Sequence, residues 1–166
     1  MKTFFMTVLT VALLSSALDS AAQQTQIQDS DFAKKAADGG MLEVTLGQMA
    51  LKQGESQKVK NYGKMMVDDH SKVNKELMAL AKKKKIEIPR ELSSAKKSMI
   101  DSLASQSGKS FDMLYMNMMI ASHEETIGLF QDEAAGGKDA DLKKWADSKI
   151  PALKHHLEMA KQLFEQ

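Results

Sequence analysis

Three histidines and one glutamate are the residues of this chain best placed to do chemistry, because each interrupts an apolar stripe at helical spacing. The first stripe, Phe32, Ala36, Gly39, Leu46 and Ala50, is broken by Glu43. His70 breaks the second, which runs Val59, Gly63, Met66, Val73, Leu77 and Leu80. The third, Met116, Met119, Ile127, Phe130 and Ala134, carries His123, and the fourth, Leu142, Trp145, Lys149, Leu153, Ala160 and Leu163, carries His156. Three imidazole nitrogens and one carboxylate oxygen suit a single divalent metal ion, whether zinc, iron, manganese or copper. The same four groups also suit a metal-free network in which they hydrogen-bond to one another.

Carboxylates that can orient an imidazole flank these positions: Asp68 and Asp69 beside His70, and Glu124 and Glu125 after His123. Asp69 and Asp112 are the inward-facing members by the helix net, Asp112 heading the His123 stripe one turn before Met116. The others read as ordinary helix-surface charge. His155 lies off the stripe, at the surface or behind the site.

The elements that must hold these residues are helices throughout. Only 2 prolines occur, Pro89 and Pro151, and from residue 29 apolar residues recur at three and four. A first helix is predicted from an Asp29-Ser30 cap to about Gln53, with Gly54 as a left-handed exit. Ser56 caps a second reaching about Lys84, whose closing Lys82-Lys83-Lys84-Lys85 run meets the negative end of the helix dipole. A connection through Pro89 leads to a short helix at about residues 94–105, and Gly108 separates it from a long one running from near Ser110 to Ala135. Asp139 caps the last, from Ala140 to about Phe164, with a kink or break expected at Pro151.

Four long helices with short connections favour an all-α, up-down four-helix bundle with antiparallel neighbours and one extra short helix between the second and third. At 1.5 Å per residue, Glu43 and His70 lie roughly 17 and 22 Å from the Gly54-Glu55 turn. By the same rise His123 and His156 lie roughly 20 and 28 Å from the Gly137-Lys138 turn, so one cluster near mid-bundle is within reach.

At 166 residues, with 43% hydrophobic and 27% charged, the chain fits one globular domain. Lys plus Arg total 23 against 22 for Asp plus Glu, which argues against a nucleic-acid partner or a basic membrane patch. Lys2, the apolar run Phe4 to Leu14 and Ser20-Ala21-Ala22 read as a signal peptide over residues 1–22, followed by an unstructured segment 23–28 and the domain at 29–166. The apolar run is about half of the roughly 20 residues a span needs, so no membrane span is expected after cleavage. The expected location is periplasmic or secreted. With zero cysteines there is no disulfide framework, no thiol catalysis and no lipid-modified cysteine. Thirteen methionines include a cluster at Met113, Met116, Met118 and Met119; thioethers favour copper(I), but at core spacing they are first of all adaptable packing.

The runs Asp31-Phe32-Ala33, Gly40-Met41-Leu42-Glu43, Met66-Val67-Asp68-Asp69-His70 and Phe111-Asp112, with Tyr115, Met119, His123, Pro151-Ala152-Leu153 and His156, resemble an exported bacterial ferritin-like family called domain of unknown function 4142. The likeness covers about residues 29 to 164. It implies a ferritin-like helical bundle in the bacterial envelope, with Glu43, Asp69, His70, Asp112, His123 and His156 as its motif positions, and brings no assigned activity. The ferritin-like dinuclear site uses Glu-x-x-His on two helices. Here the third residue before each stripe histidine is Val67, Ile120 or Leu153, which disfavours dinuclear iron chemistry.

The expected function is therefore an exported bundle holding one metal ion, in buffering or envelope stress protection, and not an enzyme. The alternative is a structural or interaction protein of the envelope with a metal-free His/Glu network, a homo-oligomer or one bound to an envelope protein through a Met113 and Met118 edge. A hydrolase using metal-bound water, with Asp69 or Glu124 as base, ranks last, since no nucleophile elbow, phosphate-binding glycine loop or His-Glu-x-x-His occurs.

Overall fold

The computed structural model describes the backbone from Leu9 to Glu165 and the side chains from Gln28 to Glu165. Over these residues the chain forms five helices: α1 (Leu9–Gln53), α2 (Gln57–Lys84), α3 (Ser94–Ala104), α4 (Gly108–Gly136) and α5 (Ala140–Phe164). The residues read as a signal peptide lie outside those whose side chains are described.

Local chemistry explains most boundaries. Ser56 accepts from Lys58 N at the head of α2, Ser93 from Lys96 N at the head of α3, and Asp139 from Asp141 N and Leu142 N at the head of α5. α2 ends on Lys85 in the left-handed region, its N–H bonded back to Ala81 and Lys82 carbonyls. Gly108, at φ 57°, takes the one positive-φ glycine position among the described residues, where α4 begins.

Four sequence expectations need correction. α1 does not start at Asp29-Ser30 but runs through residues 23–28, because the Asp29 carboxylate is engaged elsewhere and accepts from Lys138 N and Asp139 N in the α4–α5 turn. Gly54 is not left-handed; its N–H closes a last helical bond to Ala50 O at 3.0 Å. α5 passes through Pro151 without a break. Proline there removes one backbone donor, and the packing on either side holds the helix. Finally, not every connection is short: residues 85–107 span the length of the bundle.

That crossover sets the topology. α1 leads up to the Gly54 turn and α2 returns, its end marked by Lys84 bonded to Asp139 at 2.6 Å. α3 starts beside Asp38, which takes both Ser93 N and Ser93 Oγ, and climbs back to bury Leu103 in the upper core. α4 therefore begins at the top, where Asp112 accepts from Glu55 N at 2.9 Å and Ser56 N at 2.7 Å. The order is up, down, down, up, with α2 and α4 parallel across a diagonal, as in ferritin-like bundles with one long crossover. α1 pairs most closely with α2, and α4 with α5. Gly47 and Gly63 allow the first pairing, since a Cβ on either would come within 2.8 Å of the other's carbonyl oxygen.

The core has two parts. The upper one gathers Leu42, Leu46, Tyr62, Met66, Phe111, Tyr115 and Met119 with their neighbours; the lower one gathers Phe32, Leu77, Phe130, Leu142 and Leu153, where Phe32 meets Phe130 edge-on at 5.1 Å. The polar stripe residues lie between them.

Under the lower turn Glu133 is buried with Oε1 unpartnered, and burial, then the charges of Asp29 and Asp139, raise its pKa from 4.5 to about 7 against the opposing Lys143. A raised acid pKa means that the folded chain keeps a proton the unfolded chain has lost, so this contribution is fully present below pH 4.5 and is lost as pH rises through about 7. Glu133→Gln should accordingly be more stable than the parent at pH 8 and nearly equal to it at pH 5 in urea unfolding. A gap independent of pH would show that Glu133 is not protonated in the fold.

Candidate metal centre

The three stripe histidines meet. Ring centroids are 5.5 Å apart for His70 and His123, 5.3 Å for His70 and His156, and 5.5 Å for His123 and His156, close to an equilateral triangle. One nitrogen from each imidazole can be chosen so that all three lie within 4.8 Å of one another. The rings come from α2, α4 and α5 and are 3%, 0% and 4% exposed. Stagger between the helices absorbs the extra turn that separates His156 from the turn below.

Each ring has one nitrogen engaged outward. His70 Nδ1 is 2.8 Å from Glu43 Oε2, His123 Nδ1 is 2.9 Å from Met119 O, and His156 Nε2 is 3.2 Å from Asp69 Oδ2. A carbonyl or carboxylate oxygen can only accept, so in the neutral rings these nitrogens carry the proton. The lone pairs then fall on His70 Nε2, His123 Nε2 and His156 Nδ1. Those three atoms are buried and have no hydrogen-bond partner.

Glu43 lies behind this triangle. Besides His70 it accepts from Ser122 Oγ at 3.0 Å, and His123 Nδ1 lies 3.7 Å away. Burial raises its pKa, but the charges of His70 and His123 and the hydrogen bonds from His70 and Ser122 outweigh burial and bring it down to about 2. Glu43, expected as a fourth ligand, lies behind the triangle with its oxygens bonded to His70 and Ser122, while the converging group is the three histidines.

The imidazoles divide in their basicity. Burial pushes His123 down, with the charge of His70 adding to it, and burial plus both neighbouring histidines bring His156 down to about 4 despite Asp69. For His70 burial is overridden by the charge and hydrogen bond of Glu43, and the pKa rises. Two of the three inward nitrogens are therefore free of protons at neutral pH.

Asp69 sits against the site as expected from the helix net. Asp112 does not. It caps the α1–α2 turn, about 16 Å along α4 from His123. Glu124 is turned outward to Lys161 at 2.7 Å, and His155 is exposed. Met113 is 62% exposed while Met118 packs on the upper core, so the two do not form one open edge. Sequence reasoning missed Ser122, adjacent to His123 and donating its hydroxyl to Glu43, and Tyr62, whose hydroxyl donates to His156 O at 3.1 Å. A serine next to a stripe histidine, directly after the apolar run Met118 to Ala121, was the available signal for the first.

The chain matches the Domain of unknown function (DUF4142) family over residues 14–163 and belongs to it. No curated protein sequence matches it. Among solved structures the fold is similar to CopM in its Cu(I)-bound form, with TM-score 0.69, 18% identity, and coverage of 82% of this chain and 95% of that one. It is also similar to a DUF305 fragment from Deinococcus radiodurans, with TM-score 0.74, 8% identity, and coverage of 83% and 95%. A DUF305 protein from Streptomyces coelicolor matches with TM-score 0.69, 11% identity, and coverage of 82% and 91%. At these identities the likeness is one of fold.

The proton positions can be measured directly. Long-range proton–nitrogen NMR of the metal-free protein at pH 8 should show Nδ1–H tautomers for His70 and His123 and the Nε2–H tautomer for His156. A His123 in the Nε2–H form would put a proton where the ligand lone pair is needed and undo the assignment.

Proposed function

We propose that this DUF4142 protein binds one transition-metal ion in mid-bundle through His70 Nε2, His123 Nε2 and His156 Nδ1, and that it serves metal buffering or stress protection in the cell envelope. Glu43, Met119 O and Asp69 act as the outer partners that fix each ring. Two observations carry this reading: each of the three rings has one buried, unpartnered nitrogen, and one nitrogen from each ring can be chosen so that all three lie within 4.8 Å of one another. A buried polar atom left without a partner costs about 1–3 kcal/mol, a cost that a metal ion bound by all three nitrogens would remove.

Donor chemistry narrows the metal. Three neutral imidazoles with no anionic oxygen favour copper or zinc over manganese, which prefers oxygen ligands. Met66 and Met119 stand one turn before His70 and His123 in the adjoining core, a soft surrounding that suits copper(I). The similar fold of CopM, a protein known in Cu(I)- and Cu(II)-bound forms, supports copper as the first metal to test. A metal–nitrogen length of about 2.0–2.1 Å places trigonal nitrogens about 3.5 Å apart, so small side-chain shifts close the triangle. An envelope location is supported by the leader-like residues 1–22, and no helix among the described residues is long and apolar enough to cross a membrane.

Elemental analysis of protein purified from its native compartment should find one ion per chain, with copper leading. His123→Ala should lose it. At free metal about 100-fold above Kd, binding should add about 2.7 kcal/mol to the unfolding free energy of the parent and nothing to that of His123→Ala. Sub-stoichiometric metal that is the same in both proteins would leave the metal-free network as the better account. A further variant separates holding from ligating: Glu43→Gln should keep one ion but weaken its affinity by about 10- to 100-fold, the usual effect of removing a residue that orients a metal-bound imidazole. Complete loss of metal in Glu43→Gln would instead make Glu43 a ligand.

A further inference from the structure

Beside the histidine triangle, on the side of the lower core, lies a cavity of about 50 Å³ whose wall includes His70 and His156. Bundle interiors are normally filled, so its existence calls for a cause. α1 supplies one: Ala36 and Gly40 face the space, and Gly39 beside them has room for a Cβ, which would come no nearer than 3.9 Å to Thr126 Oγ1. A larger side chain at Ala36 would fill the void, whereas a Cβ on Gly40 would collide with the Asn74 amide. Instead the wall is given polar groups. Thr126, Asn74 and the Lys149 side chain line it together with Glu43 and Asp69.

Lys149 is the unusual member. It stands on the inward stripe of α5, only 21% exposed, tied to Glu76 at 2.5 Å and lying 5.9 Å from the centre of the Trp145 ring. No metal ligand needs it, and a leucine would pack better. Glu43 and Asp69, the two acids of the wall, are engaged by His70 and His156, and Lys149, itself paired with Glu76, is the lysine among the lining residues.

We propose that this cavity receives a small monoanion, about three heavy atoms long, which binds the metal on its open side and is drawn in by Lys149, with the Asn74 amide and Thr126 hydroxyl beside it. The inference rests on the metal reading above. Three imidazoles leave a trigonal ion free to take a further ligand, and metal sites with three histidines keep such a position open. On one side of the triangle Met66, Met119 and Tyr62 are packed tight; the other side is the cavity. At about 10–15 Å³ per water-sized group the space holds roughly three to five such groups, which admits azide-sized ions comfortably. With Glu43 and Asp69 also in the wall, each further negative charge on the ligand meets more repulsion, so the anion of lowest charge fits best.

The test uses the full chain loaded with Cu(II), its copper content measured first, and sodium azide as the probe. The parent should develop a saturable azide-to-copper charge-transfer absorption. Ala36→Leu, which fills the cavity, should keep its copper and bind azide at least about tenfold more weakly. Lys149→Met should also weaken azide several-fold, and the difference from the parent should shrink as salt is raised. The proposal is overturned if copper-loaded parent shows no response to azide, or if all three proteins bind azide alike. Should Ala36→Leu fold poorly, the partly exposed Lys149→Met carries the decision. Parent protein that takes up no copper would refute the metal reading itself, an outcome distinct from copper-loaded protein that ignores azide.

Discussion

A histidine buried between helices has two nitrogens to satisfy, and here one nitrogen of each ring is satisfied from behind: by Glu43 from α1, by the Met119 carbonyl of its own helix, and by Asp69 from α2. These outer bonds decide the fate of the inner nitrogens. Once a ring's proton is committed outward, its lone pair points inward, and three such lone pairs in one small volume repel unless something electropositive lies among them. The bundle must hold the rings against that repulsion by packing alone, since it has no cysteine with which to staple its helices. Two hydrophobic clusters, one above and one below the polar layer, provide the clamp.

The crossover between α2 and α4 makes this possible in an unobvious way. Strict alternation would set α4 antiparallel to α2 and bring its residues to the layer in the reverse order. With α2 and α4 parallel on a diagonal, the residues one turn before His70 and His123, Met66 and Met119, both belong to the upper core. The cavity-lining residues after them, Val73 and Thr126, both lie on the lower side. The polar layer therefore has two chemically different faces, one rich in sulfur and tyrosine and closed, the other small-sided and open.

Much of this was legible in the sequence. Periodicity with Ser56 and Asp139 as caps located α2 and α5 to the residue, and the interrupted stripes picked out the three histidines that meet. Legibility ended where a side chain's partner lies far along the chain. Asp29 reads as a local cap and Asp112 as a neighbour of the site, yet each bonds a turn in the opposite hairpin, a contact that no local pattern encodes. Glu43 shows the same limit at the site: the stripe shows that it points inward, but only the depth of Ser122 and His70 decides whether its oxygens are free. Pro151 marks the converse case, a strong local signal for a break that packing on both sides of α5 overrides.

The two aspartate clasps carry one more consequence. From Asp29 to Asp112, from Glu55 to Lys138 and from Ser56 to Asp139 the step is in every case 83 residues, so the α1–α2 and α4–α5 hairpins grip each other's turns by one rule, applied twice about a pseudo-dyad. The same step carries His70 to Leu153, Val73 to His156 and Gly40 to His123. Gly40, Val73 and Leu153 all line the cavity. The hollow is thus the twin of the histidine triangle, the same location in the repeat built with residues that bind nothing and leave room. Symmetry breaks at the centre, where His70, His123 and His156 stand on one side of the dyad and their counterparts Leu153, Gly40 and Val73 on the other.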